Sequence, residues 1–382
     1  MSGSIEEEFV RNFDERGDLG ASLSVWKNGE EIISLHSGWR DKERSVAWDR
    51  STLVPVWSAT KGPAAIATLL ALHENGVSIH SPVAEIWPEL QAAQESRLKL
   101  AGLLSHQSGL PALDPDKRGN ILHHGSVIKE LESQTPFWNP GKGHGYHPRT
   151  YGFLLDEVVR RVTGGTSLAH FWNTRLAKPL RLEFFLGELT EGHLSRLATM
   201  VPPTTQRPSE EELPFFRALA QSDSIAQAAF SSPGGMRALS DINKLEYLQA
   251  GIPSLGGIGT ATALAEFYSI LSQDGVQDGV AVLPKTVVEA ARSLQTDGED
   301  QTFLMPTAFT CGFMKDPLGP TGEKLRHRFG PSLRSFGQPG AGGSHAFADP
   351  ENGIAFAYVM NQMEVGVLPN AKSLRLVEAL YS

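Results

Sequence analysis

The chain has 382 residues, 40% of them hydrophobic and 20% charged, the balance of an enzyme-sized globular protein and not of a disordered one. Lys+Arg 34 against Asp+Glu 43 leaves a net charge of −9, which argues against nucleic-acid binding. The lone cysteine, Cys311, excludes a disulfide framework and a cysteine-based zinc site. The polar, acidic first eight residues lack the basic segment and apolar core of a secretory signal. The longest apolar stretch, 64–72, is too short to span a bilayer. A soluble, cytoplasmic protein is expected, without a membrane span.

The first fifty residues read as strands. Residues 21–26 alternate, Asn28-Gly29 is a hairpin signal, and 31–38 is the return strand. A helix follows, starting near Ser58, with apolar residues over 64–74 and Gly76 as its stop. Pro63 is then tolerated in or just after the first turn. From 81 to 250 the pattern is mostly helical, broken by Pro and Gly. A turn-rich break stands at 105–111, a helix period runs over 151–162, and a Pro- and Glu-rich exposed excursion covers 201–214. Gly256-Gly257-Ile258-Gly259 reads as the start of a helix capped by Thr260 or Thr262. It is not a phosphate loop, since no Gly-Lys-Ser/Thr follows. The basic run Lys324, Arg326, His327, Arg328 and Arg334 reads as solvated or loop-borne. Runs at 304–314, 335–336, 343–349 and 354–361 are β-compatible, and 371–381 is a closing helix. Sheet, helices, then sheet again implies an α/β domain of the α+β type, discontinuous over 1–80 and 250–382. A mostly helical domain, 81–249, is inserted into it.

The chemistry starts at Ser58-Ala59-Thr60-Lys61. Positions i and i+3 share a helix face, so the Lys61 amine reaches the Ser58 hydroxyl. A serine in the first turn also sits where unpaired N–H groups and the helix dipole favour an oxyanion. A hydroxyl needs an adjacent base, and lysine is one only when its pKa is lowered. Ser-x-x-Lys by itself is equally the pattern of an N-capping serine with an exposed lysine.

Further segments give it context. Val56-Trp57-Ser58-Ala59-Thr60-Lys61, then Leu103-Leu104-Ser105-His106-Gln107-Ser108-Gly109-Leu110-Pro111, then Trp138-Asn139-Pro140-Gly141 through Tyr146-His147-Pro148, then Phe336-Gly337-Gln338-Pro339-Gly340-Ala341-Gly342-Gly343-Ser344 occur in order over about residues 20–375. Together they resemble the serine β-lactamase and penicillin-binding-protein superfamily, in particular its class C-like esterase branch, the family VIII carboxylesterases. The resemblance implies a β-lactamase-like fold: an antiparallel sheet flanked by helices, a helical domain, and a cleft between them. It implies Ser58 as acylated nucleophile, Lys61 as its activating partner, and Tyr146 as second base, either as a phenolate or hydrogen-bonded to Lys61. The oxyanion hole would be the backbone N–H groups of Ser58 and Ala341. Gln338 and Gly340 would bind substrate, with Gly340 leaving room for it to lie alongside. Phe215 and Phe216 are the candidates for an acyl pocket.

This chain departs from the family pattern at Gln338, where a lysine or histidine is usual. Gln supplies no charge to hold a β-lactam carboxylate. Tyr146-His147-Pro148 also lacks the asparagine of many penicillin-recognising members. The expected activity is therefore hydrolysis of carboxylic esters with short acyl chains, the partner being a small-molecule ester. The alternatives are acyl transfer, β-lactam or D-peptide hydrolysis, and a non-catalytic binding protein of the same fold. No cofactor and no metal are expected: His123-His124 and His144/His147 lack further ligands at helical spacing. His106 reads as a loop-structure residue. No Gly-x-Ser-x-Gly elbow is present, which argues against an α/β-hydrolase. The oligomeric state is not readable from these residues.

Overall fold

Runs from the two ends of the chain join in one eight-stranded antiparallel sheet. In the computed structural model, which describes residues 4–116, 119–204 and 207–382, its spatial order is Glu30–Gly38, Gly20–Lys27, Ile354–Met360, His345–Asp349, Phe336–Pro339, Met314–Lys315, Pro306–Phe309 and Thr296–Glu299. The first hairpin turns where expected, at Asn28 and Gly29. Both have positive φ (53° and 87°), the requirement of a two-residue turn that follows the strand twist. The register runs from Ala21↔Met360 to Lys27↔Ile354. Every residue of Ile354–Met360 is buried, as are the first six of Gly20–Lys27. With side chains alternating between faces, both faces of the sheet are covered there. The Ala261–Ser272 helix packs on these central strands. The terminal helices Ile5–Asp14 and Ala371–Leu380 pack on one another, and Ile5, Phe9, Leu376 and Val377 join the same core.

Three local expectations need correction. Residues 5–14 are helix, not strand. Ser4 Oγ accepts the Glu7 N–H at 3.3 Å while the Glu7 carboxylate accepts the Ser4 N–H at 3.1 Å, a reciprocal cap that starts the helix. Gly257–Gly259 is the middle strand of a small sheet with Val54–Pro55 and Phe184–Leu186. The helix begins only after Thr260, whose hydroxyl accepts the Ala263 N–H at 3.1 Å. The 304–314 run is split between two strands, because the chain turns at Gly312 (φ +103°). The basic run is loop-borne, as one of its two readings has it, and His327 and Arg334 are exposed, but the rest is tied down. Lys324 is buried against Asp316 at 2.9 Å, and Arg326 and the buried Arg328 both clasp Glu211.

The Lys61–Glu74 helix is buried on every side from Lys61 to Leu72, so it is a core element and not an amphipathic surface helix. Pro63, its third residue, falls where no intrahelical N–H partner is lost. It packs against the helices Thr150–Thr163 and Leu168–Trp172. Among the described residues no helix is long and apolar enough to cross a membrane.

Candidate active site

Ser58 is held at the mouth of a cleft by a locked turn. Val56 N–H bonds the Gly257 carbonyl at 2.9 Å. Trp57 then takes φ +52°, a left-handed conformation that strains a bulky residue. The Thr60 hydroxyl stabilises that turn, donating to the Trp57 carbonyl and accepting the Gly257 N–H at 2.8 Å. Residues Trp57–Thr60 form a single 3₁₀ turn that runs into the long helix. Ser58 is half-exposed and Lys61 fully buried.

The Lys61 amine lies 3.3 Å from Ser58 Oγ, 2.9 Å from the Pro148 carbonyl and 2.8 Å from the Ser254 carbonyl. No carboxylate pairs with it among the described residues. Burial without a counter-charge holds its pKa well below the usual lysine value. A neutral amine has two N–H donors and one lone pair. The two carbonyls take the donors, and the lone pair is left facing the Ser58 hydroxyl.

Tyr146 completes the group. Its hydroxyl accepts from Gln338 Nε2 at 3.3 Å, and the residue lines the same cavity as Ser58. Burial raises the phenol's pKa above its usual value, so the residue is a neutral phenol and not a phenolate. Nor does Lys61 bond its oxygen: the amine sits over the Tyr146 ring, 4.7 Å from its centroid. Since Gln338 donates to the phenol oxygen, the phenolic proton is left for a group in the cavity.

The tyrosine is aimed by residues that sequence reasoning missed. Asp300, fully buried, accepts the Tyr146 N–H at 3.0 and 3.1 Å, the Thr302 and Phe303 N–H groups at 2.8 Å each, and the Thr307 hydroxyl at 3.0 Å. Burial pushes its carboxyl up to about 6 against these bonds. Phe303 stacks on the Tyr146 ring at 4.7 Å. Asp300 lies 154 positions from Tyr146, with no local motif to flag it. His106 packs 5.0 Å from the tyrosine ring and 4.4 Å from that of Tyr151. Its Nδ1 accepts the His147 N–H at 3.2 Å, in a backbone turn with φ +63°.

Ala341 lies across the cleft from Ser58, in the lining of the same cavity. Its neighbours Gly340, Gly342 and Gly343 bond their N–H groups to the Ser344, Gly366 and Gly340 carbonyls. No main-chain acceptor takes the Ala341 N–H among the described residues. Gly340 itself is needed for packing: a Cβ there would stand 2.1 Å from the Val56 carbonyl. Gly340 therefore lets its own segment pass close to the Val56 main chain, just before Ser58. Gln338 is likewise buried behind Tyr146 and outside the cavity wall. Phe215 and Phe216 do line the cavity, which has a volume of about 570 Å³ and a mostly apolar wall that includes Leu219, Phe230 and Leu255. The excursion over 201–214 contributes Pro202 and Pro203 to the same wall.

His124, His144 and His147 have structural partners. His124 contacts Asp156 at 3.0 Å and Glu157 at 3.1 Å; burial opposes its charge, yet these carboxylates bring its pKa up to about 8. His144 bonds the Thr307 and Thr296 hydroxyls at 2.9 and 3.0 Å. His147 bonds Ser108 Oγ at 2.8 Å and the Gly145 carbonyl at 2.6 Å.

Comparison with known proteins matches this arrangement. A family model described as Beta-lactamase covers residues 8–379. A curated protein called esterase/beta-lactamase LipL, from Mycobacterium tuberculosis, is 29% identical over 361 residues, spanning 94% of this chain and 81% of that protein. A penicillin-binding protein homolog from Caulobacter crescentus superposes with a TM-score of 0.85 at 30% identity, covering 98% of this chain and 95% of the other. A family VIII carboxylesterase superposes with a TM-score of 0.83 at 26% identity, with the same coverages of 98% and 95%.

Proposed function

The chain belongs to the beta-lactamase family, and we propose that within it the protein is a serine hydrolase cleaving carboxylic esters through an acyl-enzyme on Ser58. The observation that carries this reading is the Lys61 amine, buried without a counter-charge and within 3.3 Å of Ser58 Oγ. In acylation the Ser58 oxygen attacks the ester carbonyl as its proton passes to the Lys61 lone pair. The carbonyl oxygen becomes an oxyanion between the Ser58 and Ala341 N–H groups; removing one such donor typically slows an enzyme 10²- to 10³-fold, as a rough guide. On collapse the C–O bond to the alcohol breaks. The Tyr146 phenol gives its proton to the departing oxygen and is reprotonated by the Lys61 ammonium, so that the net transfer is of the Ser58 proton to the alcohol. Deacylation runs the same relay in reverse, with water in the alcohol's place.

Esters are favoured over β-lactams because Gln338 stands at the position where a cation would meet the lactam carboxylate and donates to Tyr146 instead. The similarity to a family VIII carboxylesterase supports the same choice. The cavity has room for a short acyl chain and its alcohol together. Ser58→Ala is expected to abolish turnover of a simple aryl ester while circular dichroism and the melting temperature stay those of the parent. Intact mass after brief exposure to esters and β-lactams should show one acyl adduct, lost in that variant and formed faster from esters. Turnover retained in Ser58→Ala, or β-lactam adducts as fast as ester adducts, contradicts the reading.

A further inference from the structure

The whole chain is acidic, at −9, yet the cleft is not. Among the described residues that line it, the charged ones are Arg149, Arg237 and Glu364. Glu364 is matched by Lys372 at 3.3 Å. Neither arginine has a carboxylate. Arg149 is largely buried, and its guanidinium reaches only main-chain carbonyls, those of Pro233 at 2.8 Å, Met236 at 3.1 Å and Ser231 at 3.4 Å. Burial with no anion pushes its pKa down to about 10. Arg237 is exposed. The nearest carboxylate in sequence, Asp241, is already taken by Lys244 at 2.8 Å and by the backbone N–H groups of Arg237 and Ala238.

Holding a loop by its carbonyls needs donors but no charge. A guanidinium kept from water without a counter-ion is destabilising unless something else supplies the anion. Both arginines line the cavity that also holds Ser58 and Tyr146, where a bound molecule would supply it. The arginine fork suits a carboxylate. Resting on the ester-hydrolase reading, we propose that the substrate is an anionic ester, a hemiester or ester acid whose free carboxylate is met by Arg149 and Arg237 while its apolar part lies against Phe215 and Phe216.

The test separates recognition of charge from turnover. Two amides that resist hydrolysis and match in length, N-phenylsuccinamic acid and N-phenylbutanamide, are titrated calorimetrically into the full-length protein, its Arg237→Gln variant and its Arg149→Lys variant. The acid should bind about tenfold tighter than the neutral amide at low salt, the size of one charge-assisted contact, with the preference shrinking as salt screens it. Arg237 is exposed, so its substitution leaves the fold intact and should erase most of the preference. Equal binding of the two amides by the parent, or a preference unchanged in both variants, overturns the proposal. The matching esters, phenyl hydrogen succinate and phenyl butyrate, are assayed alongside. If neither is turned over while the acid amide is still preferred, the hydrolase reading falls and the anion site stands.

Discussion

Tyr146 decides which esters the site handles well. As a neutral phenol held by Gln338, it enters acylation as a proton donor, and a donor matters in proportion to how badly the leaving group needs one. Tyr146→Phe should therefore slow an alkyl ester by roughly 10²- to 10⁴-fold and a nitrophenyl ester far less. Steady-state kinetics on the two, with the same acyl group, measure the difference; equal losses would remove the proton-donor role. Asp300, which fixes the backbone of that tyrosine, carries a pH signature. Its carboxyl is raised to about 6 in the folded protein against about 4 when unfolded. The folded state thus holds the proton more tightly. The contribution is full below about pH 4 and is lost as pH rises through about 6. Asp300→Asn should flatten the melting temperature between those limits relative to the parent. It should also lower kcat/KM about tenfold by leaving the Tyr146 N–H only a neutral amide oxygen, an effect in line with losing a charged hydrogen bond. A parallel pair of melting curves would argue against that ionisation.

Between elements, the most exacting junction is buried. Asp18 follows the first helix, Lys372 opens the last, and Tyr358 lies in a central strand; the Lys372 amine sits 2.8 Å from the Asp18 carboxylate, to which the Tyr358 hydroxyl also donates. Burial raises the Asp18 pKa despite the lysine. Removing one partner of such a pair typically costs about 3–5 kcal/mol, because the other charge is left in the core. Lys372→Met should lose about that much in urea unfolding, and adding Asp18→Asn should restore most of it; no recovery would mean that packing and not charge holds the junction. This junction also shows what a sequence can carry. The hairpin at Asn28-Gly29 and the Thr260 cap were legible because a turn or a cap is written in adjacent residues. The Ser4-x-x-Glu7 capping box was equally local, but it was passed over in a stretch noted for its polarity. The Asp18–Lys372 pair and the Asp300–Tyr146 bond join residues 354 and 154 positions apart, and no spacing rule links them. Within the site, Ser58 and Lys61 share a helix turn and were readable as a pair. That Lys61 meets two carbonyls and the face of a ring follows only from where the chain returns at 146–148 and 254.

At the scale of the molecule, the cleft depends on a strap that sequence alone presents as an exposed excursion. Residues 209–216 carry Phe215 and Phe216 to the cavity wall, and they are pinned on two sides. The Glu212 carboxylate accepts the Val367 N–H at 2.9 Å, tying the strap to the 363–367 segment, which lines the same cavity. Glu211 is clasped by Arg326 and Arg328, and Arg328 is itself buried. The loop-borne basic run is therefore an anchor of the substrate wall. Neither ion pair touches Ser58, Lys61 or Tyr146, so their loss should act on binding and not on chemistry. Glu211→Ala leaves a guanidinium buried without its anion, which pushes the strap and the 324–330 loop apart to admit water. KM for an ester with a bulky apolar acyl group should rise several-fold with kcat nearly unchanged, the pattern of lost uniform binding. An acetyl ester, too small to reach the phenylalanines, should be nearly indifferent to the substitution. A fall in kcat with KM unchanged for both esters would show that the strap governs the nucleophile's geometry instead.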